Sequence, residues 1–181
     1  MLKSFSISTF IFIFLASGAV FAQGSCIDFE ALESGSVFKA NNQIEVSYNV
    51  SMSVVPFSGG TTDGTVTVLS DMYENLDGLM LRADNALAVF KVNGSATGLV
   101  IGIKEIGGEI ELHVDNYKET FPSIAFMEGS TIGGAAISLV YGTEGQPVGV
   151  SLDGDFTECA IGGSQVWLDN LCTKGTATAS R

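Results

Sequence analysis

The chain has 181 residues with 20 acidic and 8 basic side chains, a net charge of −12, and a field of that sign repels phosphate backbones, so nucleic acid is excluded as the expected partner. One histidine and three cysteines, with no His cluster and no CxxC, exclude the familiar zinc sites and most acid–base chemistry. The same acidity keeps an exported chain dispersed and favours divalent cations.

Residues 1–22 carry Lys3, an apolar run from Phe10 to Leu15 and small residues leading to Val20-Phe-Ala22, the form of a secretory signal peptide cleaved before Gln23. Ser4, Ser6, Ser8, Thr9 and Ser17 interrupt the run, which is too short for a membrane span of about 20 apolar residues. No second stretch reaches that length, so the product is expected to be soluble, secreted or periplasmic. Cleavage leaves about 160 residues, a length that fits one domain, expected over 23–172. Lys3 leaves with the signal, which makes the mature chain one unit more acidic.

Next comes Cys26-Ile-Asp-Phe-Glu30, short and strand-like, and near the other end stands Val166-Trp-Leu-Asp-Asn-Leu-Cys172. If the two run antiparallel with Cys26 opposite Cys172, Asp28 falls opposite Asn170 and Glu30 opposite Leu168, with Asp169 one step away on the other face. That register predicts a Cys26–Cys172 disulfide and leaves Cys159 as a buried free thiol. The competing hairpin, turning at Gly162-Gly163, puts Cys159 opposite Val166 and leaves Cys172 out of register. The pairing of the two terminal segments also predicts that Phe29 is buried. The carboxylates Asp28, Glu30 and Asp169 gather at this seam, where a structural calcium could take oxygens from them and from a nearby loop such as Glu33-Ser-Gly-Ser36. The plainer reading is that they are solvated edge charges which discourage aggregation.

Between the ends, 22 glycines, against an average of about 7% of residues, recur in pairs that read as turns: Asn93-Gly94, Gly107-Gly108, Gly133-Gly134, Asp153-Gly154 and Gly162-Gly163. The runs that alternate or are rich in β-branched residues lie at 44–48, 65–69, 88–92, 99–103, 109–114, 136–141 and 147–152. Short strands with frequent turns indicate an all-β fold, an antiparallel sandwich or barrel, and a β-sandwich is the architecture expected. Asp71 to Arg82 shows the one helical pattern, with Asp71 and Glu74 as a capping box, weakened by Gly78; a loop with one helical turn is expected there. In the run 109–114, Glu109, Glu111 and His113 are expected on a wet face with Ile110, Leu112 and Val114 inward. His113 reads as a structural or surface residue, because no Gly-x-Ser-x-Gly elbow accompanies it. Asp153-Gly-Asp155 reads as a hairpin turn and not as a glycosidase pair. Trp167 could stack on a sugar or fill the core, and alternation leaves its face open. Asn49-Val-Ser51 and Asn93-Gly-Ser95 are glycosylation sequons. The tail 173–181 is small and polar, and is expected to be disordered.

Phe29-Glu30 followed by Gly35, together with the closing Trp167-Leu-Asp-Asn-Leu-Cys172, resembles the end motifs of galactose-binding-like jelly rolls, the fold of many carbohydrate-binding modules. The resemblance implies a jelly-roll-like sandwich with adjacent N- and C-terminal strands, and a structural calcium on Glu30 and Asp169. The single Trp and the terminal cysteines depart from that pattern. Gly107 to Asn116, the stretch around Ile132-Gly133-Gly134-Ala135, and Cys159 to Cys172 also resemble a set of small exported bacterial proteins of unassigned function with an IGG and WLDNLC-type ending, which implies a fold and no activity. The expected function is a secreted, non-catalytic binding module for carbohydrate or another extracellular polymer, with Tyr48, Tyr117 or Tyr141 as candidate contacts. The alternative is a structural or surface-matrix protein with no small ligand.

Overall fold

In the computed structural model, which describes residues 26–47, 49–60, 63–70 and 78–177, the chain is all-β and antiparallel. The signal segment 1–22, Tyr48, the capping-box segment 71–77 and residues 178–181 lie outside the described residues. The strands are β1 (Cys26–Ile27), β2 (Val37–Lys39), β3 (Gln43–Ser47), β4 (Val50–Pro56), β5 (Thr65–Ser70), β6 (Leu79–Val114), β7 (Tyr117–Phe121), β8 (Thr131–Ile132), β9 (Ala135–Tyr141), β10 (Pro147–Thr173) and β11 (Thr176–Ala177), with one 3-10 turn at Ile124–Met127.

Two long strands organise everything else. β6 and β10 pair with each other twice: Trp167 faces Arg82 on one side and Lys104 on the other, and Cys159 faces Phe90 and Val114. The other strand does the same, since Leu99 has Leu152 on one edge and Thr173 on the other. The antiparallel ribbon therefore winds back alongside itself. β4 and β5 extend it along residues 79–92, β9 along residues 147–153 and β7 along residues 110–114.

This winding overturns four of the five expected glycine turns. Asn93-Gly94 and Gly107-Gly108 lie inside β6, and Asp153-Gly154 and Gly162-Gly163 inside β10. Gly94 (φ 103°), Gly108 (φ 81°) and Gly154 (φ 154°) adopt backbone angles that other residues rarely take, so they bend the strands without ending them. Gly162 and Gly163 serve close approach instead. A Cβ on Gly162 would stand 2.0 Å from the Ala86 carbonyl oxygen, and one on Gly163 would stand 2.1 Å from that of Glu109. Only Gly133-Gly134, at φ 59° and 88°, forms the expected hairpin turn, between β8 and β9.

Alternation sets the core. Val66 and Val68 of β5, Leu81 and Ala83 of β6, Val166 and Leu168 of β10, and Ile110, Leu112 and Val114 of β6 all point into one buried cluster. Their neighbours in sequence form the outer face. Across β2, β5, β6, β10 and β6 again, one outer row runs Lys39, Thr65, Asp84, Gln165, Gly107, and the next runs Val37, Thr67, Arg82, Trp167, Lys104. Trp167 is thus opposite the main core, yet only 5% exposed.

The helical turn expected near Arg82 is absent from Leu79–Arg82, which are strand residues paired with β5. The tail is ordered further than expected. Thr173 ends β10, the Lys174 N–H donates to Gly98 O (2.7 Å), and β11 pairs with Ser95 and Ala96. The physical reason is that residues 95–98 of β6 offer an unpaired edge that this segment completes.

Candidate functional site

The terminal seam forms as the register required, as far as it goes. Cys26 faces Cys172 and Ile27 faces Leu171, the two cysteines are bonded with Cα atoms 3.9 Å apart, and Cys159 is a buried free thiol. Burial, with Asp115 and Glu158 adding to it, pushes that thiol up to about 12, so it is held as an inert S–H. The expected pairs Asp28 with Asn170 and Glu30 with Leu168 do not form. Leu168 already has Leu81 and Ile103 on its two edges, and Phe29 at φ 62° turns the chain away after β1. Phe29 is buried and stacks on Phe90, ring centroids 6.1 Å apart.

The register slips between Asp169 and Leu171 with Asn170 at φ 45°, a bulge that breaks the alternation separating Asp169 from Glu30. The Glu30 Oε1 accepts from the Leu79 N–H (2.6 Å), the Asp28 Oδ1 from the Glu30 N–H (3.2 Å), and the Asp169 Oδ2 from Asn170 Nδ2 (2.9 Å). Asp169 is 3% exposed, and its Oδ1 has no hydrogen-bond partner among the described residues. Burial pushes its carboxyl above the usual range, the Asn170 hydrogen bonds offset part of this, and the charges of Glu30 and Asp28 add to it. Among the described residues, no three His, Cys, Asp or Glu side chains form a group that could hold a metal ion.

At the β6–β7 turn a second arrangement appears that pattern reading missed. Asp115, at φ 50°, turns its carboxylate onto β10: its Oδ1 accepts from Thr157 N (3.0 Å), Thr157 Oγ1 (3.0 Å) and Glu158 N (3.1 Å). Asp115, Asn116, Thr157 and Glu158 line a polar depression of about 260 Å³. Tyr117 follows directly and is 64% exposed. A Cβ on Gly133 would lie 3.2 Å from the Tyr117 ring, so the glycine backbone seats one part of the ring. Carboxylate, amide and hydroxyl groups beside an exposed aromatic ring can take the hydroxyls and the C–H face of a sugar. The signal available in the sequence was the Asp-Asn turn before Tyr117; its partner, the Thr157 bulge, is remote in the chain.

Glu111 corrects the expected wet face. It is 1% exposed, because the segment 57–60 folds over it: Ser58 N–H donates to Oε2 (3.1 Å), Ser58 Oγ to Oε1 (2.7 Å), and His113 Nε2 to Oε1 (2.5 Å). Phe57 closes over Leu87, Val89 and Ala160 beside it. In a hydrolase triad the hydroxyl bonds the imidazole, and the imidazole bonds the acid. Here serine and histidine converge on one carboxylate, so the triad order is not the one formed, and Lys118 Nζ donates to the Ser58 hydroxyl (3.2 Å). Burial pushes the Glu111 carboxyl up, and the bonds from Ser58 and His113 outweigh that and hold it below its ordinary value. Its contribution to stability is then fully present above about pH 4.5 and is lost as the pH falls through the lowered value. Glu111→Gln should flatten the acid side of a melting-temperature profile and leave the neutral side lower; an unchanged acid limb would show that Glu111 does not titrate on unfolding.

Among the described residues no helix is long and apolar enough to cross a membrane, and the disulfide fits an oxidising compartment. In comparisons with known proteins, no family model matches the chain and no curated protein does so.

Proposed function

We propose that the chain is an exported, non-catalytic binding module for carbohydrate or another extracellular polymer, with Tyr117 as its aromatic contact. The observation that carries this reading is the exposed Tyr117 ring beside the depression lined by Asp115, Asn116, Thr157 and Glu158. The resemblance of the chain ends to galactose-binding-like modules and the self-winding antiparallel ribbon support the same jelly-roll-like reading. A glycan array should give a hit that Tyr117→Ala abolishes while the melting temperature is unchanged. No hit on any glycan would favour the alternative, a structural or surface-matrix protein.

A second element of the proposal is a structural calcium at the seam, resting on the buried Asp169 Oδ1, which has no hydrogen-bond partner among the described residues. Asp28 and Glu30 are the carboxylates whose charges act on it; they would have to move in to join it, since the three form no metal-holding group among the described residues, and an ion there would neutralise a group that is otherwise buried at a cost. Without the ion, the raised Asp169 value works against the fold at neutral pH: its contribution is present at low pH and is lost as the pH rises through that raised value. Millimolar calcium should therefore raise the melting temperature at neutral pH, EDTA should reverse this, and Asp169→Asn should remove the response. Identical curves with calcium and with EDTA would leave the three as edge charges.

A further inference from the structure

The outer face of the sheet holds a local charge opposite to that of the whole chain. Lys39, Arg82 and Lys104 occupy two adjacent outer rows, where the one carboxylate is Asp84, although the chain has 20 acidic residues and 8 basic ones. The arrangement is built. Gln165 Nε2 donates to Asp84 Oδ1 (3.1 Å), and Arg82 Nε donates to Asp84 Oδ2 (2.6 Å). One Asp84 oxygen thereby holds the guanidinium in an ion pair while Gln165 holds the other oxygen, which fixes the plane of a group suited to planar oxyanions and leaves the two rows with three cations against one carboxylate. Lys39 and Lys104 are exposed and stand four strand spacings apart, about 19 Å. Trp167, buried between Arg82 and Lys104, is the floor of this face.

We propose that this face binds an acidic polysaccharide strand lying across the five strands, its carboxylates meeting Lys39, Arg82 and Lys104 in turn. Charge complementarity argues for this occupant over a neutral glycan. The net negative charge slows the approach of a polyanion, but at physiological salt the field of distant acids is screened beyond about 8 Å, so the contacts on the face decide the bound state. The proposal goes beyond the Tyr117 site and does not depend on it.

Retention of the full mature chain on immobilised polygalacturonate, with the fully methyl-esterified polymer as the neutral control, tests it. The wild type should be retained by the acid form and not by the ester, and release should come as salt rises from about 50 to about 500 mM. The double variant Lys39→Glu/Lys104→Glu should bind about tenfold more weakly with an unchanged melting temperature, while Lys91→Glu/Arg181→Glu, which changes the net charge equally, should bind as the wild type does. Equal retention by acid and ester, equal losses in the two double variants, or no retention would each overturn the proposal. A protein that binds a neutral glycan through Tyr117 and ignores polygalacturonate would keep the function proposed above and remove this face from it.

Discussion

Replacing Cys26 or Cys172 by serine should lower the stability by about 5 kcal/mol in the chain-entropy model. The bridge spans 146 residues of sequence, nearly the whole mature chain, and the freedom that it denies the unfolded state grows with the logarithm of that span. The folded state has little to lose in exchange, since β1 has only two residues in register with β10. Denaturant titration of the oxidised and the serine forms measures the difference directly. A change under about 1 kcal/mol would mean that the unfolded chain stays compact with its ends close together, so that the bridge restrains nothing.

Phe29→Ala should cost about 3–5 kcal/mol, the range for an aromatic residue removed from a tight core. Phe29 is 1% exposed and packs on Phe90, so the vacated volume is enclosed. It also sits at φ 62°, an angle that a bulky side chain takes only under constraint from its surroundings. Glycine normally costs about 0.5–1 kcal/mol more than alanine within a strand. At this position Phe29→Gly should be no worse than Phe29→Ala, because glycine adopts the angle freely. Urea melts of the two variants give the comparison, and a glycine variant clearly less stable than the alanine one would show that the angle carries no strain. Both changes lie within three residues of Cys26, so combining either with a serine variant should give less than the sum of the separate losses.

The seam was legible because its information is local to two short segments, and a cysteine at each fixes the register without the rest of the chain. The strand runs were legible for the same reason: alternation at 109–114 placed Ile110, Leu112 and Val114 in the core correctly. What alternation could not supply was what lies above each face. Glu111 reads as wet from its neighbours and is buried by Ser58, 53 residues away in sequence. The glycine pairs read as turns because glycine permits turns, but at Gly162 and Gly163 the requirement is the passage of β6 on both sides. The contact of Arg82 and Asp84 with Gln165 likewise needs the pairing of β6 with β10, which no single segment encodes, and Asp115 meets Thr157 only once β10 is in place.

The self-winding of β6 and β10 also sets an order of events. β6 is synthesised well before β10, and until β10 arrives residues 79–114 expose hydrogen-bonding edges that only the last third of the chain can satisfy. Contacts of such long range make folding slow, and they leave those edges open to association with other chains in the meantime. The Cys26–Cys172 bridge cannot close correctly before β10 has docked, whereas the lone Cys159 lies on the same strand and is sealed inside by the same step. Docking of β10 is thus the event that both enables the right disulfide and withdraws the thiol that could form a wrong one.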